Sequence, residues 1–460
     1  MQLFDIIICP SSLTHILEQL TSIYIANICV YNTSMSDHLP PAPLHTVYLT
    51  QDIPGIGGSI KQHYEDFLVE EQPLYQPSGE GEHLYLFVEK RGMTTLEVAR
   101  RIARAFHVRK SDVGYAGLKD KHAITRQHFS VYLPKRDFEE QGLENLTFHK
   151  HMTLCWHDRH NNKLRRGHHG GNRFVVRIRD IQVHDVIKAK HVLDALEKHG
   201  VPNRIGAQRF GYRQNSHLMG IHLLKQDYPA LIFEMLGRTS DDDKPQLQEA
   251  RAAYNQGDLE TALKLWPKAL RYDRQALDEL RQGKSPKQAI LAIDPAQLNL
   301  MISAAQSAAF NHVLAQRLTD NTFDTLLPGD LAFIHHNRAV FAVDQETADK
   351  ENANTGRIST FEISPSGPMW AADMIRTTDS VDALERNALE SIGLSPEDLA
   401  ANPHHQAQGD RRPLRIKMSD PDIEAGEDEN GPYIRLAFEL PRGAYATNIL
   451  DEIMKPTTPL

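Results

Sequence analysis

The sequence has little cysteine: Cys9, Cys29 and Cys155 are its three, widely separated in 460 residues. That excludes a disulfide framework and suits a reducing, cytosolic compartment. No run of 18 or more apolar residues occurs, which leaves no candidate for a membrane-crossing helix. A signal peptide is not expected either, because the first 34 residues carry no basic n-region and no small-residue cleavage site. Residues 1–34 read as dispensable, with Met35 opening a polar, proline-rich stretch (SDHLPPAP); a small peripheral helix is the plainer alternative. Internal repeats and low-complexity tracts are also absent, so a repeat architecture drops out.

What is present is an ordinary soluble composition, 40 % apolar and 24 % charged, on a chain long enough for two domains. The net charge of −9 speaks weakly against a nucleic-acid partner, but the charge is unevenly spread. Between positions 149 and 179, Lys150, Arg159, Lys163, Arg165, Arg166, Arg173, Arg177 and Arg179 are opposed only by Asp158. Arg100, Arg101, Arg104, Arg109 and Lys110 form a second basic group. A basic face of that kind suits a phosphate backbone. Six histidines at 149, 151, 157, 160, 168 and 169 invite a zinc reading, yet they match no closed ligand set and no cysteine pair accompanies them. They read better as side chains on an RNA-facing loop.

The texture changes along the chain. Leu84, Leu86 and Val88 alternate as in a half-buried strand, and Phe174, Val176 and Ile178 alternate with Arg173, Arg177 and Arg179. Thr94 and Glu97 make a capping box ahead of an apolar helical stripe at Leu96, Ala99, Ile102, Ala103 and Phe106. A helix over 185–199 should stop at Gly200. Residues 228–296 read as several short helices, and Leu298, Ile302, Ala305, Ala309 and Val313 mark one strong buried helix. A small β-element follows, with a turn at Pro328 and Gly329. Strands then return, with Leu414, Ile416 and Met418 alternating, then Ile434, Leu436, Phe438 and Leu440, before a turn and a short final helix. This order predicts an α+β domain with a mostly antiparallel sheet (59–227 and 409–460), interrupted by a largely helical insertion (228–408). An N-terminal extension (1–58) is expected to be flexible.

One loop could carry chemistry. In GLKDKH, Asp120 sits between two apolar strand segments beside Lys119, Lys121 and His122. A carboxylate so placed can be an attacking nucleophile or a general base, with adjacent cations keeping it ionised. A solvated turn, in which Asp120 merely pairs with its neighbours, would use the same residues.

The stretch VGYAGLKDKHAITRQHFSV resembles the signature of the tRNA pseudouridine synthase D (TruD) family. Five further blocks match that family in order: IKQHYEDFLVEE, KLRRGHHGGNRF, GVPNRIGAQRFG, SAAQSAAFN and PRGAYATNILDEI, so the resemblance runs from about residue 59 to the end. It implies a pseudouridine-synthase catalytic domain interrupted by a TRUD insertion domain, with RNA in the cleft between them. The implied reaction breaks the N-glycosidic bond of a uridine in tRNA, most commonly uridine 13, turns the base and rejoins it through C5. Neither cofactor nor metal is implied, nor any membrane.

By the same resemblance Asp120 falls on the nucleophile and Lys61 on its basic partner. Phe67, Asn203 and Tyr445 fall on substrate-contacting positions, Tyr445 stacking on the target base. Lys163, Arg165 and Arg166 are expected on the RNA backbone. The chain departs from the family where Tyr-Phe usually follows VPN: it has Arg204 and Ile205, which removes an aromatic and leaves Arg204 to meet a phosphate or a base plane. Alternative readings are another uridine, in tRNA or other RNA, or a non-catalytic RNA-binding protein of the same fold, which would need neither Asp120 nor Lys61. A metal-dependent RNA hydrolase would need clustered acids or ligands that are not found.

Overall fold

The computed structural model describes residues 46–134, 149–240, 243–400 and 408–456, so the expectations for 1–34 lie outside it. Eight strands build the main sheet: β1 (Phe67–Pro73), β2 (His83–Arg91), β3 (Val113–Tyr115), β4 (Ile124–Tyr132), β5 (Met152–His160), β6 (His169–Arg179), and, after two smaller sheets, β13 (Ser419–Asp428) and β14 (Gly431–Pro441). Their order is β13-β14-β6-β1-β4-β2-β5, with β3 added to β4. Every pairing is antiparallel except that of β1 with β4. The protein is therefore α+β, with a mostly antiparallel sheet. The parallel exception matters for the site. It brings the segment before Phe67 and the loop before Ile124 to the same end of the sheet, at the starts of two central strands, with Leu68 opposite Ile124.

The alternation read from the sequence is the alternation of burial. Leu84, Leu86 and Val88 on β2 and Ile434, Leu436 and Phe438 on β14 are fully buried. The helix Thr95–Ala105 begins at the expected capping box, where Glu97 N donates to Thr94 Oγ1 at 3.2 Å and Thr94 N donates to Glu97 Oε2 at 2.8 Å. It buries Val98, Ala99, Ile102 and Ala103 together with β2. The helix Val186–His199 ends on Gly200, whose φ of 92° lies in the left-handed region that favours glycine.

The middle of the chain is mostly helical, and the long helix Pro295–Thr319 buries all five residues of the predicted stripe. One apolar cluster runs from Phe210 to Leu399 and includes Ile221, Leu223 and Leu224. By packing, the helical part thus starts nearer Phe210 than residue 228. Gly220 allows this: a Cβ there would stand 2.0 Å from Met301 O, so only glycine lets the helix Ser216–Leu224 lie so close to the long helix. The same region holds a four-stranded sheet of β8 (Leu331–Ile334), β9 (Val340–Ala342), β10 (Ile363–Met369) and β11 (Asp410–Pro413), in the order β11-β10-β8-β9. The sequence pattern hides β10 because Pro365 and Pro368 lack the ladder donor. β11 pairs there, so the chain rejoins the main body only after Pro413, through β12 (Arg415–Ile416) against β7 (Val201–Pro202).

The expectation of flexibility up to residue 58 does not hold for 46–58. Leu49 N and Thr50 N donate to the Glu452 carboxylate at 3.0 and 3.2 Å, and Ile56 N and Gly57 N reach Ile453 O and Met454 O at 3.0 Å. Ile53 and Ile56 pack on the core under the helix Thr447–Met454. Glu452 is fully buried, and those donors satisfy a carboxylate that would otherwise be costly there. No helix among the described residues is long and apolar enough to cross a membrane.

Candidate active site

The parallel pair β1 and β4 delivers Lys61 and Asp120 to each other. Lys61 Nζ lies 3.1 Å from Asp120 Oδ2, with the Asp120 side chain 55 % exposed and that of Lys61 31 %. The same ammonium stands 4.3 Å over the Phe67 ring. Phe67 is itself only 3 % exposed and packs edge-on against Phe174. Its ring thus lies under the lysine rather than open to a ligand. Lys61 has a φ of 60°, a left-handed backbone that costs a side-chain-bearing residue on the order of 1 kcal/mol. The ion pair and the ring contact help hold it there.

The loop is fixed from below. Lys119 N donates to Thr95 Oγ1 at 2.9 Å, and Thr95 Oγ1 donates to Gln127 Oε1 at 2.9 Å. Contrary to the simple picture of flanking cations, Lys119 turns inward: its Nζ pairs with Glu71 at 3.1 Å and donates to Asn172. Glu71 also accepts from His128 N at 3.1 Å. Burial pushes the Glu71 carboxyl up, but the His128 hydrogen bonds and the Lys119 charge outweigh it, leaving a net lowering.

Lys90 takes the place left open. Its Nζ donates to the Asp120 backbone carbonyl at 2.6 Å, and the residue is 1 % exposed. Burial pulls its pKa down to about 8, opposed by the charge of Asp120. The signal was in the sequence: Lys90 continues the inward register of Leu84, Leu86 and Val88. Because the folded value lies below the ordinary lysine value of 10.5, stability rises as pH climbs from about 8 toward 10.5 and the buried charge is released. Activity should move the other way. We predict an alkaline limb near pH 8 in the single-turnover rate, displaced upward in Lys90→Arg and missing in Lys90→Met, whose rate stays low throughout. An unmoved limb in both variants would assign it to another group.

Asn203 is 3 % exposed and its carboxamide is taken up within the protein. Nδ2 donates to Pro413 O at 2.8 Å, and Oδ1 accepts from Arg412. The Arg204 and Ile205 side chains beside it are likewise taken up within the protein. Ile205 is buried with Phe310 and Leu414, and Arg204 donates to Val47 O at 2.6 Å and pairs with Glu452 at 3.7 Å. The expectation that Arg204 meets a phosphate or base plane is therefore corrected: the buried Glu452 holds it. Tyr445 is 43 % exposed, and its neighbours Ala444 and Ala446 pack in the same cluster as Phe67 and Ala123.

The basic face is smaller than composition suggests. Arg173, Arg177 and Arg179 are neutralised by Glu439, Asp428 and the pair Asp66 and Asp428. Lys163, Arg165 and Arg166 have no ion pair among the described residues. Leu164 anchors their run through Ser130, Lys163 Nζ reaches Ser111 O, and Arg166 stands 5.9 Å from the Tyr115 ring centroid. Gly167 N donates to Ala116 O at 2.8 Å, which ties the run to the strand that leads into the Asp120 loop. Of the histidines, His160 stacks on Tyr75 at 5.0 Å and His168 meets the same ring edge-on, so these two pack against the protein instead of lining a loop.

A family model described as tRNA pseudouridine synthase D (TruD) matches residues 44–453. A tRNA pseudouridine synthase D of Geobacter metallireducens is 40 % identical over 413 residues, covering 90 % of this chain and 98 % of that protein. The Thermus thermophilus protein of the same name is 33 % identical over 410 residues, covering 89 % and 92 %. Among solved structures, a putative tRNA pseudouridine synthase D from Methanosarcina mazei superposes with a TM-score of 0.78 at 24 % identity, covering 89 % of this chain and 96 % of that one.

Proposed function

Since the chain belongs to the tRNA pseudouridine synthase D (TruD) family and is a tRNA pseudouridine synthase, an isomerase, we propose that Asp120 is its nucleophile and uridine 13 its target. The observation that carries the first part is the exposed Asp120 carboxylate held 3.1 Å from Lys61 on a loop fastened at three points, Lys90, Thr95 and Glu71. A reactive group needs that combination of access and fixed aim.

In this reading the carboxylate acts at the ribose of the target nucleotide, at C1′ as a nucleophile or at C2′ as a base. The C1′–N1 bond breaks, the uracil turns, a C1′–C5 bond forms, and C5 gives up its proton while N1 gains one. Lys61 holds the carboxylate's orientation and balances its charge. Tyr445 offers a half-open ring to the freed base. Taking the uridine out of its stack costs roughly a few kcal/mol, which contacts along the RNA backbone would offset. We place those contacts on Lys163, Arg165 and Arg166, and read the helical part between Phe210 and Pro413 as the insertion that forms the other wall of the cleft.

Two measurements test this. Pseudouridine mapping of tRNA incubated with the purified protein should show one new pseudouridine at position 13; modification only elsewhere would move the target, and none in any tRNA would end the reading. Changing Lys163, Arg165 and Arg166 together to Ala should flatten the salt dependence of tRNA binding by about 0.9 in log–log slope per lost duplex phosphate contact. Arg165 and Arg166, exposed and unpaired among the described residues, should account for most of it; an unchanged slope would place the run away from the RNA.

A further inference from the structure

Arg412 contrasts with Arg411 beside it and with Arg317, while the buried Arg415 likewise donates only to carbonyl oxygens among the described residues. Arg411 is held by Glu385 at 2.6 and 2.9 Å, and Arg317 by Asp330 at 2.9 Å. Arg412 has no carboxylate partner among the described residues. Its Nε donates to Asn203 O at 3.4 Å and its Nη2 to Asn203 Oδ1, and its guanidinium stands 5.6 Å from the Phe310 ring centroid. A guanidinium that gives up most of its water normally finds an anion. Here only the neutral oxygens of one asparagine receive it, and Nη1 is left without a protein partner among the described residues.

The surroundings add positive charge. Arg209 and Arg338 both act on Arg412, and Tyr445 and Asp410, the latter 3.6 Å from Arg338, oppose them. Burial pulls the Arg412 pKa down, with Tyr445 among the groups that act against it. Tyr445 is close for a reason of packing. The helix that follows it sits on the 204–206 segment, with Asn448 Nδ2 donating to Arg204 O at 2.9 Å.

We propose that Arg412 is an anion site for a phosphodiester of the RNA beside the target nucleotide, and that Asn203 is a positioning residue acting through it. This rests on tRNA being the substrate. Asn203 is only 3 % exposed and each end of its carboxamide already has a protein partner, so little of it is open to the RNA. It fixes the guanidinium instead. Pro413 O anchors Nδ2, the amide plane sets Oδ1, and Oδ1 aims the guanidinium so that its remaining edge faces out. A guanidinium so aimed presents paired donors to phosphate oxygens, and such contacts set the register of a nucleic acid without reading its sequence. Tyr445 takes the base of the same nucleotide, so sugar, phosphate and base are each held by a different group.

The test measures binding of full-length tRNA to the whole chain over a series of salt concentrations, beside single-turnover rates and melting curves. Arg412→Gln should weaken affinity about tenfold and lower the log–log salt slope by about 0.7, the share of one single-strand phosphate. Arg412→Lys keeps the charge and should keep the slope. Asn203→Ala should lower affinity and slope in the wild-type background and change neither further once Arg412 is Gln. A wild-type slope in Arg412→Gln, or an Asn203→Ala effect of equal size in both backgrounds, overturns the proposal. Should Arg412→Gln melt below the assay temperature, Asn203→Ala alone decides: a lowered slope supports the proposal, and a lowered melting temperature with an unchanged slope overturns it. Binding is read without turnover, so a wild-type protein that forms no pseudouridine would end the catalytic reading and leave this one standing on its own result.

Discussion

Asp120→Asn is expected to lower the single-turnover rate of pseudouridine formation by at least about 10⁴-fold, the scale seen when an attacking group is removed outright. The change is nearly isosteric, and the side chain is 55 % exposed, so little packing is disturbed. The loop keeps its other fastenings, because Lys90 bonds the backbone carbonyl of residue 120 and Lys119 is bonded elsewhere. Melting should stay within about 1 kcal/mol of wild type, the usual worth of an exposed ion pair. Affinity for tRNA should change by less than about threefold, since removing a carboxylate from a basic surface lifts repulsion more than it removes contact. Turnover within tenfold of wild type would transfer the role to another group.

Lys61→Met should come next in size, with the chemical rate down on the order of 100-fold, the penalty for a misplaced reacting group. Its ammonium has two contacts, Asp120 at 3.1 Å and the Phe67 ring at 4.3 Å, and no other cation reaches the Asp120 carboxylate at ion-pair distance among the described residues. Methionine can keep the ring contact through its chain but cannot hold the carboxylate. The loss should therefore appear in the chemical step, with tRNA affinity within about threefold. Lys61→Arg distinguishes charge from shape. A forked cation on so short a tether restores the charge and misplaces the carboxylate, so rescue should be partial. A Lys61→Met protein with a normal rate and weakened binding would make Lys61 an RNA contact and leave Asp120 to another partner.

How far the sequence reached depends on the range of each interaction. The periodicities of β2, β14 and the helix Pro295–Thr319 are local, and burial follows them residue by residue. The strand β10 is local too but carries two prolines, which is the pattern of a loop. The pair Lys61 and Asp120, 59 positions apart, became legible only through resemblance, because no spacing rule links the start of one strand to the loop before another. Lys90 left a trace, a charge at an inward position, that alternation alone would have flagged. Arg412 left none, and Asn203 was marked by resemblance without its partner: the two meet across 209 positions, and Arg204 looked available until Glu452 was seen to hold it.

The way the main sheet is shared between distant stretches of chain has a consequence in time. β6 is made early, and its partner β14 comes only after the whole helical excursion; Arg179 and Asp428, which close the seam, are 249 positions apart. At synthesis rates of about 5–20 residues per second, the free edge of β6 waits roughly 12–50 s for its neighbour. During that wait the edge offers unpaired backbone groups, and Arg179 has Asp66 alone for company. The helical part, whose cluster from Phe210 to Leu399 draws on one continuous stretch, can condense first and leave the two halves of the sheet to be joined last. A stop codon between β6 and β14 therefore yields an incomplete sheet, with Asp120 and Lys61 translated and the surface they belong to never finished.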